Sequence, residues 1–483
     1  MFNFCKTSKI IETEKYIADN IKNVNVQYKN IFHFDCPIGW MNDTNGVCYA
    51  FGKYHLFFQY HPYSANWGPM HWGHAISDDL VNWEFVGVAL APEDEFDKDG
   101  CFSGSAYFEN DTLYLLYTGI SGNNQEQVLA SSKDGINFIK HGVVIDNKSL
   151  PNELLKGEFR DPRIFKYENE FYTVVGSKSN EAGCVVMYKS SDLYNWEFVN
   201  IIYRDYQNKI VCECPDMIID GDNVFLIYGG TYTQEDFVHQ NSYANICVAG
   251  NLDFTTGEFI QNHRYELDYG FDMYGVQILH HENDNVLMGW MGSWGRNYYT
   301  ANNGWAGSCI FPRKILTNEY KLYQIPLTEK ISNLKTTEEV CDKTVLGGFI
   351  KYEKFIENGV YSLDIDLLNS KELSVDIFDD GENKTTIKYD KFSGLLVLYS
   401  ETNCANNLLI ENDPNYKRQC FLLDNKEGIQ ITLIIDVSSL EIFLNNGEKS
   451  LTLLTYRKTD SSDLTISADD SFIIKNLKKL TLG

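Results

Sequence analysis

Five stretches of this chain repeat one another. "GKYHLFFQY", "NDTLYLLYTG", "ENEFYTVVGS", "GDNVFLIYGG" and "NDNVLMGWMG" each set a polar turn before a run of apolar and aromatic residues. Aligned on Tyr54, Leu113, Phe171, Val224 and Val286, they recur at intervals of 59, 58, 53 and 62 residues. Each run has the length of a strand, and most are rich in β-branched or aromatic side chains. A second element lies between them: "SDDLVNWEFV" from Ser77, "SSDLYNWEFV", a degenerate "SKDGINFIKHG" from Ser132, and "NLDFTTGEFI" from Asn251. These read as a polar turn followed by an outer strand carrying Trp or Phe. Such a period, held over five copies, points to units that bury their faces against one another. Period, count and strand content predict a five-bladed β-propeller. The alternative, an irregular multi-strand sandwich, gives no reason for the period.

With 483 residues, two domains are expected. The pattern changes after Leu327. "TEKISNLKTTEEVCDKT" is charged and polar and reads as a linker, and short alternating strands such as "YSLDIDLL", "LSVDIFDD" and "LLVLYS" follow it. They predict a C-terminal β-sandwich. Before the repeats, Ile10, Ile11, Tyr16, Ile17 and Ile21 have helical spacing. The expected organisation is therefore all-β: a helical leader over 1–30, the propeller over 31–327, a linker over 328–345 and the sandwich over 346–483.

The net charge of −26 argues against nucleic acid and anionic membrane surfaces as partners, because phosphate binding needs a basic face. No segment approaches the ~20 apolar residues of a membrane helix. The opening "MFNFCKTSKIIETEKYIADN" has no long apolar run of a secretory signal, so a cytoplasmic protein is expected. Its 12 cysteines then read as reduced thiols. Cys212 and Cys214 form the one close pair, a weak metal signal without a second pair or a nearby His. Neither metal nor cofactor is expected.

Three acids fall at nearly one phase of the repeat. Asp43 lies 11 residues before Tyr54, Asp161 lies 10 before Phe171, and Glu213 lies 11 before Val224. Ser103 and Tyr274 hold the matching places in the other two copies, 10 before Leu113 and 12 before Val286. Taken singly, "NDTNG" and "RDP" are good turn sequences. Around a propeller axis, equivalent positions converge at one mouth. Three unpaired carboxylates there raise each other's pKa, a cost that points to function. Trp40, Trp67, Phe102, Tyr274, Trp290 and Trp294 offer flat faces for a sugar ring, and Asn42, Gln59, Ser103 and Arg160 offer hydrogen bonds to hydroxyls. Many of these aromatics are equally suited to the core. Two carboxylates acting on an acetal are the apparatus of glycoside hydrolysis.

"HFDCPIGWMNDTNG", "HLFFQYHP", "GPMHWGHAISDDLVNWE", "DKDGCFSGSA", "EFRDPRIF", "ECPD", "DYGFDMYGVQ", "GWMGSW" and "GWAGSCIFPRKI" occur in that order. With these motifs the chain resembles glycoside hydrolase family 32, the β-fructofuranosidases, over nearly its whole length. The resemblance implies retaining hydrolysis of terminal β-D-fructofuranosyl units. Asp43 would be the nucleophile, Glu213 the general acid/base and Asp161 the transition-state stabiliser, oriented by Arg160. Trp40, Met41, Asn42, Gln59, Trp67, Phe102, Ser103, Arg160, Tyr274 and Trp290 would bind the sugar. An ionised nucleophile calls for donors around Asp43. A protonated acid calls for desolvation or negative neighbours at Glu213. Retention predicts about 5–5.5 Å between the two carboxyls. Two departures stand out: Thr44 where the family usually has Pro, and Gly275-Val276 where Ala-Pro is common.

Sucrose or sucrose 6-phosphate is the expected substrate. Arg296 and His239 are candidate phosphate ligands. Short fructans or fructosyl transfer are the nearer alternatives. A non-catalytic carbohydrate-binding propeller and an inverting arabinan- or xylan-cleaving enzyme are the distant ones. The sequence leaves the oligomeric state open.

Overall fold

The computed structural model describes residues 6–232, 241–379, 384–400, 417–422, 427–457 and 462–483. His239, a candidate phosphate ligand, lies outside them. Among the described residues there is one α-helix, Ser8–Asn20, and otherwise only short 3-10 turns and strands. The helix starts where the Thr7 hydroxyl accepts from the Ile10 amide at 3.3 Å. It buries Ile10, Thr13 and Ile17 and packs on the outer strand Trp83–Leu90.

Five antiparallel sheets follow in sequence order. Their first strands are Gly39–Ala50, Gly100–Glu109, Leu154–Tyr167, Glu213–Asp220 and Tyr274–His281. Each first strand packs on the first strand of the next sheet, and the fifth packs on the first, so the five close a ring. A short strand, Trp305–Ala306, runs parallel to Gly39–Trp40 and ties a connection within the fifth sheet to the start of the first. The recurring polar turn has a clear cause. In the Ser77 copy, the Ser77 hydroxyl accepts from the Leu80 amide and Asp79 accepts from the Asn82 amide, at 2.9 and 2.8 Å. Ser190 and Asp192 repeat this with Leu193 and Asn195, at 3.0 and 2.8 Å. Leu80 and Leu193 are held at φ 75° and 68°, and the degenerate copy places Gly135 there, at φ 75°.

Two six-stranded antiparallel sheets form the C-terminal part. Leu363, Ile431 and Leu477 of one share a buried core with Val375, Ile387 and Ile466 of the other. The expected linker over 328–345 is largely absent, because Leu334–Val345 is an edge strand paired with Phe472–Leu482. Its polar composition misleads because the strand is exposed along most of its length, as edges that resist further pairing tend to be.

A buried polar cluster joins the two parts. His33 sits between Asp436 and Glu441, at 2.8 and 2.9 Å. The Arg313 Nε donates to Glu441 at 3.1 Å, and Arg313 also reaches Asp268 at 3.1 Å. Burial alone would lower the His33 pKa, but the two carboxylates outweigh it and push it up to about 10. Their own pKa values are held below the ordinary range, against burial, chiefly by His33 for Asp436 and by Arg313 for Glu441.

Candidate active site

Each of the five first strands breaks register at the same level. The irregularities fall between Met41 and Thr44, Phe102 and Gly104, Arg160 and Arg163, Glu213 and Asp216, and Tyr274 and Gln277. A bulge interrupts the ladder and re-aims a side chain. Asp43, Ser103, Asp161, Cys214 and Gly275 all fall inside these breaks. Asp161, Cys214 and Gly275 have φ of 66°, 45° and 55°. For the two non-glycines this strain costs about 1–3 kcal/mol each.

The five breaks bring the three carboxylates together. Asp43 Oδ2 accepts from the Ser103 hydroxyl at 2.7 Å and faces the Cys214 thiol at 3.7 Å. Asp161 Oδ2 accepts from the Cys214 amide at 2.9 Å and lies 3.7 Å from the same thiol. Glu213 Oε1 accepts from Arg160 at 2.8 Å, and its Oε2 accepts from the Tyr274 hydroxyl at 2.7 Å. Asp43 keeps some accessible surface, yet its Oδ1 is covered and has no hydrogen-bond partner among the described residues.

Donors surround Asp43 as expected: Ser103, Asn42 and Cys214. Burial outweighs them, helped by the charge on Glu213, and the carboxyl is pushed above its ordinary range rather than below it. Asp161 is pushed up to about 7. Burial is the largest cause, Arg160 opposes it, and the charges of Glu213 and Asp43 add to it. Glu213 has the expected negative neighbours, Asp43 and Asp161, whose carboxyls feel its charge, and beside them a cation, Arg160, at 2.8 Å.

The other expected sugar contacts divide. Trp67 is exposed and meets the half-buried Phe102 edge-on at 6.1 Å, so both offer surface at the mouth. Trp40 stacks on Trp294 at 6.2 Å, and its indole N–H donates to Asn42 at 2.8 Å. The Gln59 amide donates to the Cys101 carbonyl at 3.0 Å. Three expectations need correction. Met41 is fully buried with Ile10 and Ile17, on the face opposite Trp40. Trp290 is fully buried against Trp40, Trp294 and Tyr298, so it supports the aromatic wall and has no face to offer. Tyr274 is buried, with its hydroxyl committed to Glu213. Arg296 is also corrected: its guanidinium is buried 2.9 Å from Asp272, which leaves it no reach to a phosphate.

Cys214, Gly275 and Thr118 were missed. Thr118 accepts the Asp161 amide at 2.9 Å and holds that bulge. Cys214 adjoins Glu213, so the phase that found the acid could have found the thiol between the two aspartates. Cys212 is buried elsewhere, and no group of three or more potential metal ligands occurs among the described residues.

Carboxylates from three separate sheets, one with an unpartnered oxygen and one held by Arg and Tyr, are an arrangement of the kind glycosidases use. Residues 33–326 match the glycosyl hydrolases family 32 N-terminal domain, and residues 324–481 match the family 32 C-terminal domain. The chain belongs to glycoside hydrolase family 32. The sucrose-6-phosphate hydrolase of Escherichia coli is 31% identical over 458 residues, covering 90% of this chain and 91% of that protein. The raffinose invertase of Escherichia coli is 31% identical over 454 residues, covering 91% of each. A mutant of the Bombyx mori GH32 β-fructofuranosidase, solved in complex with sucrose, superposes with a TM-score of 0.81 at 30% identity, over 98% of this chain and 99% of that one.

Proposed function

We propose that this chain is a retaining β-fructofuranosidase that hydrolyses sucrose or sucrose 6-phosphate through a fructosyl-enzyme intermediate. The observation that carries this is the linked set Asp43–Cys214–Asp161 with Glu213 held by Arg160 and Tyr274. The named activities of the relatives support the substrate class. The five sheets are the blades of a propeller, consistent with the closed ring of first strands, and the two six-stranded sheets are a sandwich. The propeller occupies 31–327, preceded by the leader over 1–30. The sandwich begins at the strand from Leu334 rather than after 345.

In the first step an Asp43 carboxylate oxygen attacks the anomeric carbon of the fructosyl unit. The bond to the leaving oxygen breaks, and Glu213 gives that oxygen its proton. Glu213 then takes a proton from water, whose oxygen attacks the same carbon and frees Asp43. Asp161 accepts hydrogen bonds from fructose hydroxyls, which tighten as the ring flattens toward the oxocarbenium-like state. Arg160 orients Glu213 directly and lies beside Asp161 in sequence. Asn42, Gln59, Trp67, Phe102, Ser103 and Trp40 line the sugar site. The partner is a small sugar, the reaction needs no cofactor, and the protein works in the cytoplasm. No described helix is long and apolar enough to cross a membrane.

Proton NMR at the onset of sucrose cleavage tests the mechanism, with sucrose 6-phosphate and short fructans in parallel. β-Fructofuranose should appear first and then equilibrate. Initial α-anomer would mean inversion and reject the fructosyl-enzyme. Binding without sugar release would support a non-catalytic propeller. Preferred cleavage of fructans, or transfer products, would move the substrate within the family.

A further inference from the structure

Thr44 and Gly275 stand 231 residues apart and meet in space. The Thr44 hydroxyl donates to the Gly275 carbonyl at 3.1 Å, and Thr44 is fully buried. Gly275 in turn lies flat against Asp43. At its φ of +55°, a Cβ would stand 2.4 Å from Asp43 Oδ1, 2.8 Å from Cγ and 2.9 Å from Cβ. The oxygen it abuts is the one without a hydrogen-bond partner, while Oδ2 is held by Ser103.

Packing therefore defines where Oδ1 points, and the Gly275 peptide is its wall. That wall lies in a bulge, where ladder bonds are lost, and on the residue type with the freest backbone. Something has to hold it, and the Thr44 hydroxyl is bonded to its carbonyl. We propose that Thr44 and Gly275 form a positioning pair that, by walling Oδ1, fixes the orientation in which the Asp43 carboxylate meets the anomeric carbon. This rests on Asp43 being the nucleophile. The plainer account is that Thr44 merely satisfies a buried hydroxyl. That account predicts lost stability with unchanged turnover.

Steady-state kinetics on sucrose and urea unfolding of the full chain separate the two. Gly275→Ala should lower kcat about a hundredfold, the effect of misplacing a reacting atom by about 1 Å. KM should change by less than about threefold, because the loss falls in the transition state. Thr44→Val should lower kcat about tenfold, and Thr44→Ser should recover most of that loss. The double variant should lose less than the product of the two, since both act on one wall. If Gly275→Ala does not fold, the nearly isosteric Thr44→Val decides. Wild-type kcat in Thr44→Val overturns the pair, as does strict additivity in the double variant. Asp43→Ala keeps the two claims apart. An active Asp43→Ala rejects the nucleophile assignment itself. An inactive one beside a fully active Thr44→Val rejects only the pair.

Discussion

Asp43→Asn is expected to lower kcat on sucrose by about 10⁴-fold or more and, at the same time, to raise the unfolding midpoint. With Asp43 as the proposed nucleophile, the rate loss follows because an amide cannot form the fructosyl ester. The substitution keeps side-chain size and an acceptor for the Ser103 hydroxyl, so the loss is chemical rather than geometric. The gain in stability follows from the same electrostatics. Asp43 is driven above its ordinary pKa by burial and by Glu213, so its charge destabilises the folded state. Removing it should add about 0.5–2 kcal/mol, the usual scale for relieving a strained functional group. Steady-state assays and urea unfolding on one preparation measure both. A variant within tenfold of wild type places the nucleophile elsewhere. An inactive variant with a lowered midpoint shows that Asp43 serves the fold.

Glu441→Ala is expected to destabilise the protein by about 3–5 kcal/mol, the scale for breaking a buried ion pair from one side. Glu441 is fully buried and contacts His33 and Arg313, while Arg313 is fully buried as well. Losing the acid leaves each buried cation one carboxylate short, His33 with Asp436 alone and Arg313 with Asp268 alone. Replacing Glu441 and Arg313 together with apolar residues should cost less than Glu441→Ala alone, which urea unfolding tests directly. Equal or larger loss in the double variant would show that the cluster is held by shape rather than charge. The cluster also fixes a pH profile. The raised His33 pKa gives stability that is full below about 6.5 and fades as pH rises through about 10. The lowered Asp436 and Glu441 values give stability that is present above about 4 and lost as pH falls below it. Wild type should therefore show an alkaline limb that Glu441→Ala weakens.

Much of the architecture was legible because repetition is a long-range signal carried in local sequence. The aligned runs at Tyr54, Leu113, Phe171, Val224 and Val286 all lie in second strands of their sheets. The phase argument singled out Asp43, Asp161 and Glu213, and all three lie on first strands whose bulges bring them to one place. The bulges themselves were not legible. One extra residue in a strand leaves no compositional mark, yet it reverses which side chain faces the site. Met41 is core for a simpler reason: it precedes the break and alternates with Trp40 on a regular strand. Trp290 and Tyr274 misled for a different reason. Their residue types suit a sugar, and only packing shows that one has no free face and the other has a committed hydroxyl. The His33–Glu441 contact spans 408 residues with no repeat to announce it. Leu334–Val345 reads as a linker because an edge strand and a polar loop share a composition.

The parallel pairing of Trp305–Ala306 with Gly39–Trp40 has a consequence for biosynthesis. Asp43 is among the first residues of its ring to leave the ribosome, but Gly275 and the closing strand come late, followed only by the strands Arg313–Asn318 and Lys321–Pro326 of that ring. At ordinary elongation rates the interval is roughly 10–50 s. Throughout it the first sheet exposes an unpaired inner edge and its acid lacks its wall. Chaperone dependence should be greatest in the window before residue 306 emerges.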